Sequence, residues 1–245
     1  MRVRSDDGNS GRATDRVTRM LDVVPERLII NFHGIGAPSD VPEAERPYWC
    51  PRELWPAMAD AISDVAAQAK VKIEVTFDDG NLSDVEEALP VLTERRLTAA
   101  FYVCAGRIGV PRYLTADHLH ALRDAGMVIG SHGWSHQDLR RTSDADLLRE
   151  ADESRLRIAE LIGRDVTGFA IPFGSYDRRV LRHLKAYAAV YTSDRMRAST
   201  NSWLTPRHSY AQGWSPQHIG RLASERMALL DYARRRAAMV YKRFR

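Results

Sequence analysis

Two cysteines in 245 residues, Cys50 and Cys104, are too few for a disulfide-stapled scaffold. No apolar run approaches the ~18 residues that a membrane span needs. The opening stretch MRVRSDDGNSGRATDR lacks the apolar core of a secretory signal. These absences favour a cytoplasmic protein with reduced thiols, although a chain whose leader had been removed would look the same. Internal repeats and low-complexity segments are missing too. What remains, 44% hydrophobic and 28% charged, is ordinary for a folded protein and excludes disorder as a general description. A length of 245 residues suits one domain, since α/β barrels reach about 250 as a single unit.

Charge of one sign is also absent from most of the chain. The formal charge is +4, but residues 221–245 hold eight Lys or Arg against two acids, a net of +6, which leaves residues 1–220 at −2. The basic character therefore belongs to the tail. Nothing here builds a nucleic-acid face on the main domain, and no nucleic-acid partner is expected.

Residues 1–26 read as a flexible N-terminal arm, 27–220 as the folded domain and 221–245 as a basic C-terminal helix. Within the domain, short apolar or β-branched runs alternate with amphipathic ones. Strands are expected at 27–34, 72–80, 98–106, 127–132, 168–174, 188–194 and 203–210. Helices are expected at 53–69 with Pro56 in its first turn, at 84–95 capped by Ser83, and at 115–125 capped by Thr115. Further helices are expected at 143–162, closed by Gly163, at 177–186 and at 215–243. The stretch 36–51, with Pro38, Pro42, Pro47 and Pro51, reads as a loop. Strand–helix alternation argues for a mostly parallel sheet, and about seven units in this length suit a distorted (β/α)7-type barrel better than a wide open sheet. Chemistry in such barrels gathers where strands end.

Polar residues stand at those ends. Asp78 and Asp79 precede Gly80, whose turn can swing both carboxylates toward one place. Neighbouring carboxylates repel, and a cation beside them relieves the cost; the plainer alternative is an Asp-Asp-Gly turn capping the next helix. His132 and His136, four apart, share one face if the segment makes a helical turn. Two imidazoles and a carboxylate form a common catalytic metal set with open positions. Surface histidines are the plainer reading of that pair alone. His33 ends the first strand, and Pro172-Phe173-Gly174 ends the fourth of the main alternation.

With these residues in place, TFDDG (76–80), SHGWSH (131–136) and FAIPFG (169–174) resemble, in order and spacing, the successive motifs of the polysaccharide deacetylases, carbohydrate esterase family 4. The resemblance covers roughly residues 27–210. It implies the family's distorted (β/α) barrel. It implies one divalent ion, zinc, held by Asp79, His132 and His136, with Asp78 as general base. It also implies that the Phe173 N–H helps hold an oxyanion. The implied reaction is hydrolysis of an N-acetyl group from an amino-sugar-containing saccharide, with release of acetate.

Two departures from the family pattern matter. Ala170 stands where many members carry an arginine that orients the base, so something else must orient Asp78. A late leucine–x–histidine motif is not evident. The INFHG stretch resembles members that place the acid early, which makes His33 the candidate general acid and His208 its rival. A strand-end histidine bonded to backbone is the plainer reading of His33. Tyr48, Trp49 and Trp134 are candidates to stack on the saccharide, packing being the plainer reading of each. The departures keep two alternatives open: a non-catalytic carbohydrate-binding relative, and a metal-dependent amidase acting on another C–N bond. The tail reads as a helix packed on the barrel, with peripheral attachment to an anionic membrane as its functional alternative.

Overall fold

The computed structural model describes residues 26–36, 41–68, 71–225 and 227–245. The expected arm lies outside them except for its last residue. Glu26 opens the first strand and pairs with Ser199, so it belongs to the domain.

The strands are β1 Glu26–Phe32, β2 Gly34–Ile35, β3 Trp49–Cys50, β4 Lys72–Asp79, β5 Ala99–Val103 and β6 Val128–Ser131. They continue with β7 Gly168–Ala170, β8 Ala189–Thr192, β9 Ala198–Ser199, β10 Leu204–Pro206 and β11 His208–Ser209. The main sheet runs β10-β8-β7-β6-β5-β4-β1-β11, with β9 added antiparallel on β1; the ladders along the main path are parallel. Its two ends, β10 and β11, are one stretch of chain interrupted at Arg207 alone. The sheet therefore curls into a nearly closed barrel, as the alternation predicts. The pair β2–β3 forms a small separate ladder inside the stretch expected to be loop. Pro38, which belongs to that expected loop, lies outside the described residues.

The helices are α1 Trp55–Gln68, α2 Leu89–Glu94, α3 Ala116–Asp124, α4 Asp144–Leu148, α5 Ser154–Ile162, α6 Arg178–His183, α7 Pro216–Ser224 and α8 Leu229–Phe244. Thr115 caps α3 by accepting from the His118 N–H, and Ser143 caps α4 by accepting from the Asp146 N–H. Gly163 ends α5 at φ 65°, a left-handed cap that costs glycine little. Ser83 does not cap. Its hydroxyl accepts from the Ile35 N–H at 3.1 Å, its own backbone is already helical, and the following turn, Asp84–Ala88, is a π-turn. The single helix expected over 215–243 is two, with Glu225 and Ala228 extended between them. Packing sets this break: α7 lies against α1, and α8 against α6.

Alternation along the strands divides the two faces of the barrel wall. Phe32, Phe77 and Phe101 are register partners across β1, β4 and β5, stacked at 5.6 and 4.9 Å. Trp55 of α1 packs edge-on against the first two, so this face looks outward under the helices. The intervening residues, Asn31, Thr76 and Asp78, look inward. Tyr102 also lies inside: a Cβ on Gly130 would sit 2.3 Å from its ring and one on Gly168 3.1 Å. Those glycines let a tyrosine lie flat where alanines would force it out. The barrel interior is thus polar at the end where β4 stops.

Candidate metal centre and active site

At the end of β4 the backbone reverses. Asp79 has φ 79° and Gly80 φ 72°, a conformation that costs a non-glycine residue of order 1 kcal/mol or more. His136 and Phe173 carry the same burden, each at φ 58°. Three of the six described non-glycine residues with positive φ are therefore among the candidates. Strain of this kind persists where the surroundings over-determine it.

Asp78 stays in the strand and points inward. Its two oxygens accept from Arg207 Nη1 at 2.8 Å and Nη2 at 2.7 Å, a bidentate fork, and Asn31 Nδ2 adds a third bond at 3.1 Å. Arg207 is fully buried, bonds Asn31 Oδ1 and Thr76 Oγ1 as well, and lies near the rings of Tyr102 and Tyr191. Burial by itself would push the Asp78 carboxyl up. The Arg207 guanidinium, with help from His132 and His33, instead holds it well below the usual carboxylate range. This answers the vacancy left by Ala170: the orienting cation comes from the seam between β10 and β11.

Asp79 meets different company. Its Oδ1 lies 3.1 Å from His136 Nε2 and 3.6 Å from both His132 Nε2 and Arg107 Nη1. Among the described residues this buried oxygen has no hydrogen bond. His132 Nδ1 donates to the Ala170 carbonyl at 2.8 Å, which orients the ring with its Nε2 toward Asp79. Burial, then the neighbouring His132, pulls the His136 pKa down to about 4, so its imidazole is neutral near pH 7. The three ligand atoms lie within 4.8 Å of one another. A buried carboxylate oxygen without a hydrogen bond among the described residues and two imidazole nitrogens are a donor set that fits a divalent cation.

The two histidines do not converge by a helical turn. Residues 132–136 are irregular, with Gly133 at φ 84°. Glu150 holds them: its buried carboxylate accepts from the Trp134 N–H at 2.6 Å, from the Ser135 N–H at 3.2 Å and from the Ser135 hydroxyl. A Cβ on residue 133 would sit 2.5 Å from Glu150 Oε2, so only glycine admits the clamp. Glu150 itself stands on a π-turn, Arg149–Glu153, between α4 and α5.

A third carboxyl, Asp84, is fully buried, and neither oxygen has a well-formed hydrogen bond among the described residues. Burial, then the charges of Asp79 and Asp78, push its pKa well above the usual value, with the Asn81 backbone a weak counterweight.

His33 sits on the same rim. It is close enough to act on both Asp78 and His136, its Nδ1 is buried without a partner among the described residues, and its ring lies 5.4 Å from that of Tyr48. His208 faces away. It follows Arg207, whose side chain points inward, and the charges acting on it belong to Arg235, His218, Arg197 and Arg195. The Phe173 ring, 66% exposed, lies 4.5 Å from that of His136. Trp134 packs on Gly106 beneath the Arg149 guanidinium, 4.7 Å from its ring. Trp49 lies over Gly34 and lines a cleft of about 1060 Å³ with Ile35, Asn81, Arg112 and Tyr210. The trio does not line that cleft, which opens beside it along the residues that follow His33 and Gly80.

Sequence reasoning missed Arg207 and Glu150. An arginine within the strand expected at 203–210 is a usable signal, because a guanidinium buried in a sheet demands an acid. Glu150 has no such mark among the acids of its helical segment.

Comparison with known proteins bears on the family and the fold. The family model described as polysaccharide deacetylase matches residues 66–192. The peptidoglycan-N-acetylmuramic acid deacetylase PdaC of Bacillus subtilis is 27% identical over 123 residues, half of this chain and 26% of that protein. The chitin deacetylase of Colletotrichum lindemuthianum is 28% identical over 99 residues, 40% of this chain and 38% of that protein. The matched part thus spans about a quarter to two fifths of these relatives. Among solved structures, the Streptococcus pyogenes deacetylase PplD, in complex with acetate, superposes with a TM-score of 0.74 at 19% identity, over 83% of this chain and all of that one. At that identity the likeness speaks for the fold.

Proposed function

Because the chain belongs to the polysaccharide deacetylase family, whose members remove N-acetyl groups, we propose that it is a metal-dependent hydrolase of an N-acetylated amino-sugar saccharide. The observation that carries this reading is the meeting of Asp79, His132 and His136 beside a fully paired Asp78. Asp79 Oδ1, His132 Nε2 and His136 Nε2 would hold the ion, with zinc suited to this donor set, and when bound it supplies Lewis acidity for a water and an acetamide carbonyl.

The chain's own groups do the rest. Asp78 accepts the proton of the attacking water. With its pKa so low it is a weak base in the Brønsted sense, so its contribution is position: an acceptor ionised at every working pH and aimed by the Arg207 fork. The Phe173 N–H stabilises the oxyanion that develops, a donor typically worth about 10²–10³ in rate. His33 gives a proton to the leaving amine. Trp49 at the cleft and Tyr48 beside His33 contact the saccharide, and Trp134 supports the loop that bears both imidazoles while presenting its remaining edge. The Arg207–Asp78 pair removes one of the two grounds for the non-catalytic alternative, Ala170, and leaves the other, the absent late leucine–x–histidine motif.

An acetate-release assay on N-acetylated chitooligosaccharides, with chelator and with zinc restored, tests the reading. Turnover should vanish with chelator and return with metal. Asp78→Asn should keep the metal and lose turnover, whereas Asp79→Ala should lose both. Full turnover in Asp78→Asn, or in the chelated protein, would overturn the mechanism.

A further inference from the structure

No helix among the described residues is long and apolar enough to cross a membrane. The C-terminal helix α8 nevertheless shows its apolar side to solvent. It docks through its polar side. Lys242 pairs with Asp194 at 2.6 Å, bonds the Gly174 carbonyl at 3.5 Å and lies over the Tyr176 ring. Arg235 donates to the Asp194 carbonyl, and Arg245 to that of Tyr176. Met239 is the one buried residue of the helix.

At 100° per residue, Arg235, Met239 and Lys242 define the docked face. Opposite it, Leu229, Val240, Ala233, Phe244, Ala237, Leu230 and Tyr241 follow one another around an arc of about 120°. All seven are exposed, Leu230 at 80% and Phe244 at 68%. Arginines border the arc on both sides, Arg236 and Arg243 along one edge and Arg234 and Arg245 along the other. Two aromatics of the arc already lie near guanidinium groups, Phe244 at 6.0 Å from Arg243 and Tyr241 at 5.6 Å from Arg245. Asp231 is the single acid of the helix.

We propose that α8 is a membrane-surface element that lays this apolar stripe into the headgroup region of an anionic lipid bilayer. An apolar band between two basic rows is complementary to a plane that is greasy below and negatively charged at the level of the phosphates. A second copy of the chain is a poor occupant, because it would set arginine rows against arginine rows. On the docked face Lys242 reaches the Gly174 carbonyl, so the C-terminal end of the helix is anchored at the turn Pro172–Gly174 while the stripe faces away from it.

Flotation of the full chain with phosphatidylglycerol vesicles, against phosphatidylcholine vesicles, tests this. The protein should float with the anionic vesicles, with binding that weakens from 50 to 500 mM salt. The double variant Leu230→Glu, Phe244→Glu should lose about tenfold or more in partition, and each of Arg234→Glu and Arg243→Glu roughly fivefold. Because these side chains are exposed, thermal unfolding and acetate release should match the parent. In Tyr241→Trp, the new indole should be quenched by brominated lipid in anionic vesicles. Absence of flotation on pure phosphatidylglycerol at low salt would overturn the proposal, as would equal binding to neutral vesicles. So would a solution dimer that the same double variant dissociates, because a second copy would then cover the stripe.

Discussion

Asp78 and Asp79 are neighbours in sequence, yet they belong to two halves of the rim built on opposite terms. On the side of β1, β10 and β11, Asp78 has a bidentate guanidinium and an amide, so its charge is neutralised within the protein. On the side of β5 and β6, Asp79 presents to two imidazoles a buried oxygen that has no hydrogen bond among the described residues. The closed half fixes a geometry; the open half leaves a carboxylate oxygen that has Arg107 at 3.6 Å but no hydrogen bond among the described residues. One strand end serves both because its backbone reverses between them.

The harshest way to break the contrast is Arg207→Met. It strands a buried carboxylate, which should cost about 3–5 kcal/mol in urea unfolding and abolish acetate release. Arg207→Lys keeps the charge and loses the fork, and should fall between parent and Met in both readings.

Acid titration sharpens it next. Asp78 is depressed in the folded state, so its stabilisation is present above the unfolded value near 3.9 and is lost only as pH falls through its folded pKa. The closed half is therefore silent between pH 5 and 8. His208 and His136 act in a higher window. Both are held down to about 4, so from pH 6.5 downward the unfolded chain takes up protons that the folded one refuses. Stability of the metal-free protein should fall as pH drops from 6.5 to 4, by up to about 3 kcal/mol for each histidine. His208→Gln should remove roughly half of that loss in a series of thermal melts. An unchanged profile would place the acid sensitivity elsewhere.

The open half is tested by adding metal. At zinc near 100 times its dissociation constant the parent should gain about 2.7 kcal/mol, and Asp79→Asn should gain nothing measurable. The smallest change is Glu150→Gln, which loosens the loop that bears the imidazoles. Zinc affinity should drop about 10–100-fold with the fold intact, read by competition with a chromophoric chelator.

Much of the architecture was legible because it follows from local rules. Strand ends rich in polar residues, the caps at Thr115 and Ser143 and the left-handed Gly163 each depend on a few adjacent residues. Where reading failed, a distant partner had intervened. Ser83 has a capping residue's chemistry but gives its oxygen to Ile35. His132 and His136 have helical spacing but follow a path dictated by Glu150. Arg207 is 129 residues from the carboxylate it orients. Neither composition nor periodicity carries information over that span.

The seam at Arg207 has a temporal consequence. β11 pairs with β1 across Ile30 and His208, and β10 with β8, so the wall shuts only when its last staves arrive. Contacts of such long range form late and slowly. A ribosome that has finished Asp78 has more than a hundred codons still to translate before the guanidinium that aims it exists. A chain cut short before residue 207 would carry all three residues of the proposed metal set and still lack the guanidinium fork that aims the proposed proton acceptor.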